Sequence, residues 1–125
     1  MKKIIILILF CLAFQIHYSQ QTYTVSGTSL ELKTEVDGKL DLLWNTIDGK
    51  YRYFVKSEDG TITELKNTKN DNNDYQEEYK STLRNLTNGM PTDKLKLTLY
   101  SLKSYIDSYN ASVDSDYIST NTKRN

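Results

Sequence analysis

Three Asp-Gly pairs recur at intervals of eleven residues, at Asp37-Gly38, Asp48-Gly49 and Asp59-Gly60. Asp-Gly favours the tight turns with positive φ that connect antiparallel strands. Short segments in which apolar and polar residues alternate follow each pair, and that alternation is the period of a half-buried strand. The spacing therefore predicts a series of strands joined by turns, and it constrains the front half of the chain more than any other feature.

The segments around these pairs contain four or five predicted strands, near residues 23–25, 30–36, 40–44, 51–56 and 61–65. Strands that follow one another through tight turns pair as an antiparallel meander. Leucine, tryptophan and tyrosine side chains alternate onto one face of this sheet, and the other face is polar except at Leu43 and Phe54. A sheet with one apolar face needs a covering layer, so helices are expected to pack on it.

The second half of the chain predicts two helices. The first is expected to begin at Asp74, which precedes Glu77 by three residues as in a capping box, and to end at Asn88-Gly89. The second is expected to begin at Thr92 or Asp93, a capping residue ahead of an apolar stripe. The stripes comprise Tyr75, Tyr79, Leu83 and Leu86 in the first helix, and Leu95, Leu99, Leu102, Ile106 and Tyr109 in the second.

The predicted fold class is therefore α+β, an antiparallel β-meander of four or five strands followed by a two-helix hairpin packed on one face. We expect one such domain at residues 21–110, because a chain of this length can bury one core and not two. Residues 111–125 are polar and rich in hydroxyl groups, which predicts a disordered tail.

Residues 1–20 have the layout of a signal peptide. Lys2 and Lys3 form a positive start, and the apolar stretch from Ile4 to Phe14 is too short to cross a bilayer as a helix. We expect cleavage near Ser19 or Gln20, which leaves no transmembrane span in the mature chain. An uncleaved N-terminal anchor is the alternative.

Removal of this leader would leave about 105 residues without cysteine or histidine, since Cys11 and His17 both precede residue 21. That composition excludes a thiolate nucleophile, a Cys/His zinc site and a catalytic triad built on histidine. Loss of Lys2 and Lys3 leaves 14 basic against 16 acidic residues, a balance that argues against nucleic-acid binding. We therefore assign no catalytic residue, cofactor or metal ligand, and we expect the protein not to be an enzyme.

Acidic residues offer two alternatives to that expectation. Asp37, Asp48 and Asp59 could bind calcium, but a meander places Asp48 at the opposite end of the sheet from the other two. Two carboxylates could support glycoside hydrolysis if they flank a cleft. The candidates for such a pair are Glu31, Glu35, Asp41, Glu58 and Glu64. Alternating acids on a strand usually form its solvated side, so a hydrolase is the weaker interpretation.

Four aromatic residues fall within one predicted hairpin, namely Trp44, Tyr51, Tyr53 and Phe54. Exposed aromatic side chains on a rigid sheet suit contacts with a protein partner or stacking against sugars. The competing interpretation, which we favour for Trp44, Tyr51 and Tyr53, places them in the core beneath the helices. Phe54 belongs to the opposite face, and we expect it to be the exposed contact residue.

The Lys-Lys-Ile start, the Ser19-Gln20 end of the leader and the abundance of Asn, Lys and Tyr resemble exported proteins of flavobacteria and other Bacteroidota. The resemblance implies a periplasmic or cell-surface location and assigns no binding residue. The sequence thus predicts a non-catalytic exported protein that contacts a protein or glycan in the envelope, or the N-terminal domain of a larger envelope protein. A small periplasmic inhibitor or immunity-type protein, a carboxylate-based hydrolase and a purely structural chain are the alternatives.

Overall fold

A computed structural model of the chain describes residues 20–119. Five strands form one antiparallel sheet in the order β1-β2-β3-β4-β5, and two helices follow it. The elements are β1 Gln20–Val25, β2 Thr28–Val36, β3 Asp41–Ile47, β4 Lys50–Lys56, β5 Ile62–Leu65, α1 Glu78–Leu86 and α2 Leu99–Val113. The structure confirms the predicted α+β fold, a β-meander followed by a helical hairpin. The leader predicted at residues 1–20 lies outside the described residues except for Gln20, which begins β1.

The chain divides into two compact units at residues 33 and 34, within β2. In the first unit, β1 pairs with the start of β2, so that Gln20 lies opposite Lys33 and Val25 opposite Thr28. Ser26-Gly27 forms the turn between them, and both residues have positive φ, at 50° and 83°. Two such residues define the tight turn whose twist matches that of a hairpin. The Asp-Gly pattern does not include this turn, because a serine stands where the other turns have aspartate.

The three Asp-Gly pairs of the second unit adopt three different structures. Asp48-Gly49 is the predicted two-residue turn, with φ values of 53° and 78° between the paired residues Ile47 and Lys50. Asp59-Gly60 belongs to a three-residue loop in which only the glycine has positive φ, at 91°. The Ser57 carbonyl accepts from the Gly60 amide at 2.9 Å, and the Ser57 amide donates to Thr61 at 2.9 Å. That arrangement is a turn followed by a glycine bulge.

Asp37-Gly38 is not a tight turn with positive φ, and the prediction is wrong at this pair. Four residues separate β2 from β3, and Gly38 is absent from the glycines with positive φ among the described residues. Gly38 is instead a point of close approach, because a Cβ there would lie 2.6 Å from Cγ of Asn110 and 2.9 Å from the Tyr117 ring. The Asp41 carboxylate stabilises the segment between β2 and β3 by accepting from the Gly38 amide at 2.9 Å.

The core of the second unit lies between one face of the sheet and the helices. α1 contacts β5 and α2 contacts β3. Leu42 pairs with Val55 across β3 and β4, which places both side chains on the covered face as predicted. The fully buried members of this core are Val36, Leu42, Val55, Leu83, Leu102 and Ile106.

Both helices begin later than the capping signals predict. The side chain of Asn70 accepts from the amides of Asn72 and Asp74, at 2.9 and 3.0 Å, which holds this segment in a turn. This local bonding competes with helix formation, so α1 begins only after Glu77, whose φ is 50°. α2 is capped by Thr98, whose hydroxyl oxygen accepts from the Ser101 amide at 3.2 Å.

The predicted second cap has a different role, because Thr92 is buried and its hydroxyl accepts from Arg84 at 2.8 Å. α2 also continues to Val113, three residues beyond the predicted end of the domain. After it, the hydroxyl groups of Tyr117 and Ser119 donate to the Asp107 carboxylate, so residues 114–119 pack back onto α2. Residues 120–125 of the predicted tail lie outside the described residues.

A double-mutant cycle tests the close approach at Gly38. Gly38→Ala should lower the free energy of unfolding by about 1–3 kcal/mol, because the added methyl group overlaps the Asn110 amide. In an Asn110→Ala background, Gly38→Ala should lower the free energy of unfolding by a smaller amount, because one of the overlapping groups is gone. The difference between the two backgrounds should exceed about 0.5 kcal/mol. Urea unfolding followed by circular dichroism measures both values.

Gly49→Ala is the matched control for this cycle. It is strained by its φ of 78° but meets nothing within 4 Å, so its cost should be the same in either background. Equal costs for Gly38→Ala with and without Asn110 would contradict the close approach.

Candidate functional site

Three aromatic residues form a cluster on the β3–β4 hairpin, which extends from the middle of the ladder, where Trp44 pairs with Tyr53, towards the Asp48-Gly49 turn. The Trp44 and Tyr51 ring centroids lie 5.8 Å apart, and those of Tyr51 and Tyr53 lie 6.5 Å apart with planes inclined by only 10°. Tyr51 is 66% exposed, Trp44 is half-buried and Tyr53 is buried. We call Trp44, Tyr51 and Tyr53 the aromatic patch. The favoured prediction of three core residues therefore holds for Tyr53 and fails for Tyr51.

The position of each residue on β4 explains this difference in exposure. Tyr53 faces the core, and burial raises the pKa of its hydroxyl group. A hydrogen bond with the backbone of Leu99 offsets part of this increase. Tyr51 lies two residues nearer the turn on the same face, and its ring is exposed there. The result is one exposed ring supported from beneath by two others.

The indole of Trp44 is held by a polar network beneath the patch. Its Nε1 donates to Oε1 of Glu35 at 3.0 Å, and Nζ of Lys103 donates to Oε2 of the same carboxylate at 2.8 Å. The Lys103 side chain is 8% exposed and that of Glu35 is 21% exposed. One carboxylate thus joins β2, β3 and α2, and it fixes the orientation of the indole.

Phe54 is fully buried, so the prediction that it is the exposed contact residue is wrong. It pairs with Leu43, which is also fully buried, on the face of the sheet opposite the helices. The Arg52 guanidinium lies 5.4 Å from the Phe54 ring centroid and forms two hydrogen bonds with Glu64, at 2.8 and 2.7 Å. Phe54 therefore lies beneath an ion pair, and its ring is not available to a partner.

The acidic residues considered for hydrolysis each contact a different partner. Glu35 belongs to the network under the patch, and Glu64 is paired with Arg52. Asp41 accepts from the Gly38 amide, and burial raises the pKa of its carboxyl group. Glu58 approaches Lys39 at 3.8 Å, and Glu31 accepts from Gln20 at 3.2 Å. Each of these contacts is of the kind that stabilises a fold.

A buried carboxylate on α2 is a feature that no sequence motif indicates. Asp107 is 2% exposed and accepts from the hydroxyl groups of Tyr117 and Ser119. Burial, together with the hydrogen bond to Asp107, raises the pKa of Tyr117 to about 12. Asp107 lies on the covered side of α2, where the apolar stripe predicts no charged residue.

Within residues 20–119, no three His, Cys, Asp or Glu side chains are grouped so as to hold a metal ion. The Asp59 carboxylate, one of the calcium candidates, accepts from the Thr61 amide at 2.9 Å, and that bond lowers its pKa. No helix in this part of the chain is both long and apolar enough to cross a membrane. Comparison of the chain with protein families, with curated proteins and with solved structures finds no match.

Glu35→Ala tests the network beneath the patch. The substitution leaves the Lys103 ammonium buried without this carboxylate, so we expect the free energy of unfolding to fall by about 1–3 kcal/mol. The fluorescence of Trp44, the only tryptophan of the chain, should shift as its indole loses its acceptor. Adding Lys103→Met should restore most of the stability but not the fluorescence. A double variant no more stable than Glu35→Ala would contradict the ion pair.

The raised pKa of Tyr117 predicts a loss of stability at alkaline pH. The folded state keeps the phenol proton up to about pH 12, whereas the unfolded chain releases it near pH 10. The contribution is therefore complete below pH 10 and is lost as the pH rises towards 12. Tyr117→Phe should reduce the fall in unfolding free energy over this range by about 1–2 kcal/mol, allowing for solvent screening. Identical slopes for the two proteins in urea unfolding would contradict this assignment.

Proposed function

We propose that this chain is a non-catalytic exported protein that acts by binding a protein partner through the aromatic patch. One observation supports the proposal above the others. Tyr51 is 66% exposed and stacks on rings whose polar atoms are already bound within the protein. Tyrosine and tryptophan are the residues on which binding energy most often concentrates at interfaces, because they offer a large contact area with few rotatable bonds.

The surroundings of Tyr51 lower the entropic cost of binding. Trp44 is held by Glu35, and Tyr53 is held by the core and by the backbone near Leu99. A ring supported in this way loses little conformational freedom when a partner covers it. A protein surface that places an apolar pocket over Tyr51 would therefore bury a large side chain at small cost.

Glycan binding is the less favoured form of the same proposal. Sugar chains stack on several exposed rings in a row, and the near-parallel Tyr51 and Tyr53 suit that mode in their geometry. Tyr53 is buried, however, so that only one ring of this pair is open to a ligand. A protein partner needs only one such anchor, together with the polar rim around it.

The proposed location is the periplasm or the cell surface, on the strength of the leader-like residues 1–20. An inhibitor or immunity-type protein is a special case of the proposal, in which the partner is an enzyme and binding is tight and stoichiometric. A carboxylate-based hydrolase is less well supported, because Glu35 and Glu64 are occupied by Lys103 and Arg52.

Affinity capture from an envelope extract tests the patch with a matched pair of variants. Tyr51→Ala removes the exposed ring of the patch, and Tyr75→Ala removes a ring of similar exposure, 62%, from the segment before α1. A partner retained by the unaltered protein and by Tyr75→Ala should be lost with Tyr51→Ala. Its Kd should rise by about 30-fold or more, as expected when an anchor residue is truncated.

Two results would count against this proposal. A partner retained equally by Tyr51→Ala and Tyr75→Ala would place the contact elsewhere. Binding to a glycan array that requires Tyr51, without any captured protein, would replace the protein partner by a glycan.

A further inference from the structure

A groove of about 350 Å³ lies at the end of β3 and β4 opposite the aromatic patch. Four segments line it: the β2–β3 connection, the β4–β5 loop, the last turn of α1 and the second half of α2. About six residues of β4 separate Tyr51 from this end, a distance of roughly 20 Å along a strand. The groove is therefore a separate feature, and its capacity to bind a ligand does not depend on the function proposed for the patch.

The walls of the groove combine hydrogen-bond donors and acceptors. Lys39 and Glu58 face each other with Nζ and Oε2 3.8 Å apart, a distance too long for a hydrogen bond. Their side chains are 41% and 68% exposed, so each can bind another group. Asp59 adds a second carboxylate, one oxygen of which accepts from the Thr61 amide, and the exposed amide of Asn85 can both donate and accept.

Two half-buried side chains give the groove an apolar part. Tyr109 on α2 and Leu86 at the end of α1 both border the groove, and both pack against the main core on their other side. Each thus presents a fixed apolar surface next to the polar groups. A ligand that contacts both the apolar and the polar parts of the lining needs one apolar face with several hydroxyl or amide groups around it.

The charge balance of the groove selects among such ligands. Two carboxylates oppose one ammonium group, and the C-terminal end of α1 adds the partial negative charge of its carbonyl groups. Phosphate, sulfate and other anions are therefore disfavoured. The volume is at the lower end of the range for small-molecule sites, which suits one or two sugar rings.

We propose that this groove binds a neutral saccharide unit. The C–H face of the sugar ring would lie on Tyr109 and Leu86, and its hydroxyl groups would donate to the carboxylates of Glu58 and Asp59. Lys39 and Asn85 would donate to the ring hydroxyl oxygens. Carboxylates accept strongly from hydroxyl groups, which explains why acidic residues line a site for an uncharged ligand.

Nuclear magnetic resonance titration of the isotope-labelled full chain tests this assignment. The probes are glucose, galactose and N-acetylglucosamine, with glycine as a zwitterion and inorganic phosphate as an anion. We expect saturable shifts with at least one sugar, at the backbone amides of Lys39, Glu58 and Asn85, with a Kd of about 1 mM. Neither glycine nor phosphate should produce them.

Matched variants separate the groove from other surfaces. Asn85→Ala and Glu58→Ala should each weaken sugar binding by about tenfold or more. Asn72→Ala, which changes an exposed asparagine before α1, and Tyr51→Ala on the patch should leave it unchanged. The assignment is overturned if no sugar gives saturable shifts, if the groove variants bind as well as the unaltered chain, or if only glycine or phosphate binds.

Discussion

One buried side chain fixes the register of α2 against the sheet. The amide of Asn110 accepts from the Leu40 N–H and donates to the Leu40 carbonyl, both at 2.9 Å, and Asn110 is fully buried. Its loss would leave two backbone groups unpaired in the interior, which is costly. Lys103 stands seven residues earlier on α2, two helical turns away on the same side. The register that places Asn110 on Leu40 therefore also places Lys103 on Glu35, and with it the indole of Trp44.

This constraint explains how far the Asp-Gly period could predict the fold. The period correctly predicts the positions of three connections and hence the meander. It cannot tell that Gly38 is required for contact with a residue 72 positions later in the chain, because glycine serves both turns and close approaches. Only Asp48-Gly49 is the predicted two-residue turn, and the Asp59-Gly60 loop contains a bulge instead. Local turn chemistry was sufficient to predict the order of the strands. It was not sufficient to predict whether each glycine serves a turn or a close contact.

The candidate site was predictable only where it depends on a single strand. Alternation along β4 correctly placed Tyr51 and Tyr53 on one face and Phe54 on the other. Exposure depends on what covers each face, and alternation contains no information about that. Phe54 is buried beneath Arg52 and Glu64, whereas Tyr51 is exposed on the face that the helices cover elsewhere. The groove was not predictable at all, because its lining comes from four segments whose proximity depends on the helix register.

The two ends of the β3–β4 hairpin differ in how their polar groups are used. At the patch, Glu35 is occupied by Trp44 and Lys103, so the polar atoms stabilise the protein and only a ring is offered to a partner. At the groove, Lys39 and Glu58 approach each other without a hydrogen bond and remain exposed. Bound polar groups favour a contact dominated by apolar burial, and exposed ones favour a hydrogen-bonded ligand. This difference is why we propose a protein partner for the patch and a saccharide for the groove.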